Sequence, residues 1–466
     1  MTIARWDHGR SSYEPLEQAV IVVGTSTCYR LRVDGFVDAC VRRFAGQPPT
    51  GATPLARRRT RELFWPLAGA SLALSAALAV LANRGVFTAL DGDLYLALAA
   101  SLRTHGTFSL SPDGSVPTIR VAPFYPWLLV PFDGHLTLVC ALQAVIHGLI
   151  AASVFALARP LIGRFWAVAA MLMYALNPAM LVATTMVYTE VVFTALVVAT
   201  LFALRSGVNL NRLEVTCLAA SLLGLAALCR PIALVYLPAL ILAVVASRAP
   251  RRFQHCALLL TVTLATVAPW TLRSSLSAGR FVPIQGASAQ NIYIPTKVDW
   301  NQQDPGDVWT NFLSRDELGM RAYAVVTPSD QVAVDRDMLV QAIRNVRQSP
   351  FKYLQSRFWA YPHLFLSTFS ILTQTYASWE TLWKGHMFAA VLLRLLLMTV
   401  FSVVPLVMGI VGLVAAMRRG AVTEGLVAAL WVAPLVVHLP MLIEYRFWLP
   451  ALPFLAITAG RGLEQT

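Results

Sequence analysis

Asp91-Gly92-Asp93 stands where a long apolar run gives way to a polar segment. An aspartate ahead of a helix accepts hydrogen bonds from free backbone N–H groups. At a membrane–water boundary it can instead act as a general base toward a sugar or protein hydroxyl. Asp91 carries both readings, and Asp93 is a second carboxylate or a surface charge. Asp-x-Asp also occurs where a divalent ion bridges carboxylates and a diphosphate, but no strand of a nucleotide-binding domain precedes it here. Four arginines, Arg120, Arg230, Arg273 and Arg446, lie at the ends of apolar runs. There they can hold a phosphate, or reach for lipid headgroups. Glu190 opens an apolar run, as a helix cap or as a partner for an arginine or a sugar hydroxyl.

Other chemistries lack their residues. Eight histidines are scattered without HExxH, and six cysteines form no CxxC pair, so a metal held by His or Cys is not expected. No P-loop, GxGxxG or GxSxG occurs, which removes ATP-driven, nicotinamide and serine-hydrolase readings.

The elements that must position these residues follow from composition. Of 466 residues, 57% are hydrophobic and 13% charged. A soluble protein has about 25% charged residues, and no soluble core could hide so much apolar surface. The chain reads as an all-α polytopic membrane protein. Its formal charge of +13 is explained by topology and anionic lipid rather than nucleic acid. Apolar runs at 64–83, 134–158, 165–183, 187–204, 213–229, 232–247, 255–272, 388–416, 421–441 and 447–461 give about ten spans of roughly 20 residues. One straight helix over 213–247 would be about 50 Å long, so Arg230-Pro231 is expected to break it into a hairpin.

Arginines test the arrangement. Arg57, Arg58, Arg59, Arg61, Arg159, Arg164, Arg205, Arg212, Arg248, Arg251, Arg252, Arg418, Arg419 and Arg461 fall at one set of ends, and far fewer at the other. Under the positive-inside rule the N-terminus is cytoplasmic. Residues 1–62 form a cytoplasmic tail, 63–272 a membrane module with a first outer loop at 84–133, 273–387 a non-cytoplasmic loop region, and 388–466 the last helices. In the first loop, Leu94, Leu98 and Leu102 fall at helical spacing, predicting a surface helix that starts at the aspartates. In the second, an amphipathic helix is expected near 335–349. Phe358, Trp359, Tyr361 and Phe365 suit a headgroup-level belt.

Several pieces together resemble one family. Asp91, Tyr95 and Ala99 keep a four-residue spacing, followed by Gly106, Phe108, Arg120 and Pro123-Phe-Tyr125-Pro126. TMVYTEVVF (185–193), GLAALCRP (224–231), APWTLR (268–273) and EYRFWLPALPF (444–454) follow in order. This pattern is similar to the GT-C glycosyltransferases, closest to the branch of dolichyl-phosphate-mannose protein mannosyltransferases and bacterial aminoarabinose transferases. The sequence departs from it at Gly92, where many relatives carry Glu, and at Glu444-Tyr445-Arg446, where the basic residue is shifted by one.

The resemblance implies a GT-C-type bundle in a multi-pass protein of a bacterial plasma membrane. It implies transfer of a sugar from a polyprenyl-phosphate donor to a hydroxyl of a lipid, polysaccharide or protein acceptor on the non-cytoplasmic face, with inversion. Asp91 would be the base and Asp93 a second carboxylate. Tyr95, Arg120, Tyr125, Glu190, Arg230, Arg273, Glu444 and Arg446 would bind substrate. Some GT-C enzymes use a divalent cation and others do not, so that cofactor stays open. The competing readings are a transporter or lipid flippase, and a membrane scaffold. A transporter would carry inverted repeats and broken helices near the bilayer midplane, and neither is evident in the sequence.

Overall fold

The computed structural model describes residues 54–88, 90–286, 288–297, 312–325, 327–366, 383–419 and 422–465. Most of the segment read as an N-terminal tail (residues 1–53) and parts of the segment read as a second outer loop (298–311 and 367–382) lie outside the described residues. The chain divides into two compact units, Met1–Phe64 and Trp65–Thr466. The first is described only where it begins the first helix.

The principal helices are α1 (Pro54–Arg84), α2 (Leu90–His105), α3 (Leu136–Ala175), α4 (Glu190–Asn209), α5 (Leu213–Cys229), α6 (Ala233–Ala246) and α7 (Arg252–Ala278). They continue as α8 (Pro328–Gln348), α9 (Pro350–Ala360), α10 (Phe388–Met398), α11 (Val404–Arg419), α12 (Val422–Val437) and α13 (Leu452–Gln465). Among the described residues no strand forms; two isolated bridges, Phe87 with Met186 and Ser109 with Pro117, are the only β contacts. Among the described residues five helical stretches are long and apolar enough to cross a bilayer, and α5, α6 and α12 are shorter apolar helices. The protein is an all-α polytopic membrane protein, and each of the ten apolar runs carries helix.

Two reversals build the bundle. Although α3 is continuous over 40 residues, Gly163 interrupts it with φ +74°. The His147 ring lies 3.2 Å from the Tyr174 hydroxyl and 3.0 Å from the Ala175 carbonyl oxygen. A straight helix would separate these residues by about 40 Å. The chain therefore folds back at Gly163, and the runs expected at 134–158 and 165–183 are antiparallel arms. The second arm stops at Ala175 because Asn177 caps a new turn, Pro178–Ala183, accepting from Ala179 and Met180 N–H.

The second reversal is at Arg230-Pro231. Thr216 on α5 meets His255 on α7 at 2.7 Å, and Thr263 Oγ1 donates to Ala220 O at 3.1 Å. Residue numbers rise together along both helices, so α5 and α7 are parallel and α6 must return between them, as the sequence predicts. In consequence Asp91, Glu190, Arg230 and Arg446 come to one end of the bundle. Arg461, the clusters at 205–212 and 248–252, and α12's first turn lie at the other. There Arg461 donates to Glu424 at 2.7 Å, with both side chains buried, and fixes α13 against α12.

Helices α11 and α13 pack at backbone distance. A Cβ on Gly412 would lie 1.9 Å from Thr458 O, so only glycine permits this approach. Gly412→Ala is therefore expected to destabilise by about 1–3 kcal/mol through overpacking, read as a lower unfolding temperature in detergent. An unchanged melt would show that the helices do not touch there.

Candidate active site

A cavity of about 530 Å3 opens at the end of the bundle where the acidic residues collect. Asp91, Tyr95, Arg120, Glu190, Arg230 and Arg446 all line it.

Local structure explains each placement. Phe87 N–H donates to Thr185 O at 3.0 Å, and Val187 N–H to Phe87 O at 3.3 Å, tying the entry to α2 against the segment before α4. A Cβ on Gly92 would come within 3.0 Å of Val187 O. Glycine at this position allows α2 to start against that backbone, which gives a physical reason for its departure from Glu. Asp91, in α2's first turn, then faces Arg446, whose Nη1 donates to Oδ2 at 2.6 Å. Arg446 Nε also donates to Glu444. The Arg446 guanidinium stacks over Tyr188 at 5.3 Å and Phe447 at 5.2 Å. Burial alone would lower its pKa; the Glu444 and Asp91 carboxylates outweigh that and raise it well above the usual value. Burial, and then the Asp91 charge, push the Tyr95 phenol up, so it remains a neutral hydroxyl.

The second pair is Glu190 and Arg230. Glu190 begins α4, where the helix dipole favours a carboxylate, and is 2% exposed. Arg230 follows the last residue of α5; its N–H closes the final turn on Ala226 O at 2.8 Å, and Pro231 prevents continuation. Its Nη1 meets Glu190 Oε1 at 2.8 Å. Glu190 Oε2 is buried and has no partner among the described residues.

Arg120 differs from both. It stacks on the Tyr323 ring at 4.3 Å and approaches Tyr323 O at 3.5 Å. Among the described residues no carboxylate pairs with it.

The remaining sequence candidates lie elsewhere. Asp93 is exposed and does not line the cavity. Glu444 reaches the cavity through Arg446. Arg273 holds the first loop instead, donating to Thr118 O at 2.6 Å and Phe108 O at 3.1 Å while stacking on Trp270 at 4.6 Å. Tyr125 is fully buried; its hydroxyl meets Gln143 at 3.2 Å, and Gln143 donates to Met186 O at 2.8 Å. Both brace loops that carry cavity residues. Sequence reasoning missed Tyr188, Gln285, Gln290, Asn291 and Tyr323, which also line the cavity. Tyr188 stands within the TMVYTE segment; the amides follow APWTLR in a stretch with no pattern to single them out.

Among the described residues no group of three or more His, Cys, Asp or Glu could hold a metal. Asp91 and Glu444 are bridged by the Arg446 guanidinium, which occupies the place an ion between them would take. As arranged, these side chains do not fit a resident divalent ion.

Fold and site define a helical membrane protein with a charged cavity at one end of its bundle. Residues 121–272 match the family described as dolichyl-phosphate-mannose-protein mannosyltransferase. The matched stretch contains the segments TMVYTEVVF, GLAALCRP and most of APWTLR, three of those by which the sequence resembles that family. None of the curated proteins matches the chain. Among solved structures, it is similar to the archaeal oligosaccharyltransferase AglB from Archaeoglobus fulgidus, in complex with an inhibitory peptide and a dolichol-phosphate. That likeness has TM-score 0.49 and 14% identity, covering 86% of this chain and 50% of the other. It is also similar to ArnT from Cupriavidus metallidurans bound to undecaprenyl phosphate, with TM-score 0.40 and 16% identity over 86% of this chain and 78% of the other. The chain thus spans about half the length of the archaeal protein.

Two predictions follow from the geometry. Arg230→Ala leaves the Glu190 carboxylate buried without its cation and is expected to cost about 3–5 kcal/mol. Adding Glu190→Gln should restore most of the unfolding temperature, and a double-mutant cycle showing no coupling would refute the pair. The second concerns Asp335 on α8, which accepts from Ser288 N–H at 3.2 Å and Ala289 N–H at 3.3 Å and so ties α8 to the cavity wall. Burial pushes its carboxyl up to about 6, against the pull of those two N–H groups. The folded state then binds this proton more tightly than the unfolded chain, so its contribution to stability falls as pH rises from about 4 to about 6. Thermal unfolding across that range should show the decline in the wild type, and Asp335→Asn should remove it.

Proposed function

We propose that the protein transfers a sugar from a polyprenyl-phosphate donor to an acceptor hydroxyl, with Asp91 as the base. The observation that carries this reading is one cavity lined by a carboxylate fixed on a guanidinium, Asp91 on Arg446, and by a cation without a carboxylate partner among the described residues, Arg120.

The leaving group is a phosphate, already a stabilised anion, so no general acid is required. The anomeric C–O(phosphate) bond breaks and its electron pair leaves with the phosphate. The acceptor oxygen bonds to the anomeric carbon from the opposite side, inverting it, and its proton passes to Asp91. Arg446 orients the Asp91 side chain, and the proton moves late, as positive charge builds on the acceptor oxygen. Arg120 takes the phosphate, and Arg230, committed to Glu190, supplies a second positive field in a poorly hydrated site. The unpartnered Glu190 Oε2 is placed to accept from a sugar hydroxyl. The isoprenoid tail would enter laterally from the bilayer.

The arginine asymmetry supports a non-cytoplasmic site and a cytoplasmic N-terminus. The setting would be a bacterial plasma membrane, with a lipid, polysaccharide or protein acceptor. The test is transfer of labelled sugar in proteoliposomes from a panel of polyprenyl-phosphate donors. Asp91→Asn should lower kcat by about 10²–10⁴-fold while polyprenyl phosphate still binds. Arg120→Ala should chiefly raise KM. Full turnover by Asp91→Asn with correct insertion would remove the base assignment.

A further inference from the structure

The mechanism makes no use of α9, yet three of its side chains grip the cavity's edge. Arg357 is 7% exposed; its Nε donates to Leu439 O at 3.0 Å and its Nη2 to Met441 O at 2.8 Å. One turn earlier, the Tyr353 hydroxyl donates to Pro440 O at 3.3 Å; one turn later, Tyr361 donates to Leu435 O at 2.7 Å. Residues 353, 357 and 361 share one helical face. All their acceptors belong to the end of α12 and the turn that follows it. Those carbonyls have lost their helical partners and need donors. The same segment contributes Val437, His438, Met441 and Leu442 to the cavity, and Leu442 N–H donates to Asn291 O on the facing wall at 2.6 Å.

The other face of α9 is apolar and exposed: Phe351 84%, Leu354 62%, Phe358 71% and Trp359 64%. Lys352 is exposed beside it. Tyr361 binds α12 within its last turn, so this aromatic face stands at the depth where an apolar helix leaves the bilayer. Aromatic rings with a flanking lysine suit the acyl–headgroup boundary. Of the residues read as a belt, Phe358 and Trp359 face outward, whereas Tyr361 turns inward as a strap and Phe365 packs against the buried Trp448.

We propose that α9 is a membrane-seated strap: its aromatic face rests in the bilayer surface, and Tyr353, Arg357 and Tyr361 transmit that seating to the cavity lip at 435–442. They are positioning residues, acting through the lip's backbone. The inference does not depend on the reaction proposed above, because it can be read without turnover.

The experiment is hydrogen exchange by mass spectrometry on the full chain in lipid nanodiscs. Arg357→Ala should speed exchange at least several-fold in peptides covering 437–442, while α5 and α7 stay protected. Arg357→Lys should restore part of that protection. Phe351→Ser/Phe358→Ser alters only exposed side chains, so it leaves packing intact; it should speed exchange at the same lip if the face is seated in lipid. An unchanged lip in Arg357→Ala would overturn the strap. An unchanged lip in Phe351→Ser/Phe358→Ser would overturn the seating.

Discussion

The Asp91–Arg446–Glu444 bridge joins the first outer loop to the segment before the last helix, across 355 residues of sequence. Neither end can form a site alone. Asp91 needs Arg446 to hold its side chain in one orientation, and Arg446 needs its carboxylates to offset the loss of water around it. The bundle therefore has to bring the start of α2 beside the turn that precedes α13. The reversals at Gly163 and Arg230-Pro231 serve that requirement. The turn at Gly163, beside the Arg461 end, returns the chain toward the site, and the turn at Arg230-Pro231 stands at the site itself; each adds an apolar helix to the core around which the charges gather.

Charge placement at this end follows a simple economy. Three carboxylates, Asp91, Glu190 and Glu444, face three guanidiniums, those of Arg120, Arg230 and Arg446. Two of the guanidiniums take all three acids, so among the described residues Arg120 has no carboxylate partner and is open to a ligand's charge. Cation–ring stacking on Tyr323 holds it without neutralising it. A buried pair contributes little net stability, but it presents fixed dipoles to whatever enters. The arrangement is suited to an anionic group whose charge grows as a bond breaks.

Much of this was legible in the sequence, and the reason is physical. A bilayer demands long apolar helices, and such runs can be counted. A straight helix over 213–247 would overrun the bilayer, and Pro231 lacks the N–H to continue one, so the turn at Arg230 was readable. Asp91, Glu190, Arg230 and Arg446 were conspicuous because ionisable residues at this set of span ends are few, most arginines falling at the other. Arg273 and Tyr125 were also conspicuous, but they brace loops, because a local pattern does not say whether a side chain meets a ligand or a carbonyl. The amides Gln285, Gln290 and Asn291 were invisible for the opposite reason. They are ordinary loop residues until Asp335 and Leu442 hold that loop against the cavity from two sides.

The two departures from the family pattern are linked by this geometry. Gly92 removes a side chain that would press on Val187 O, so α2 can begin close to the segment leading into Glu190. Asp91 is thereby carried toward the turn Tyr445–Phe447. In that turn Tyr445 is buried against the core, which leaves position 446 to face the cavity. An arginine one residue earlier would point into the core. The glycine and the arginine thus stand on the two sides of one contact, the Asp91–Arg446 ion pair.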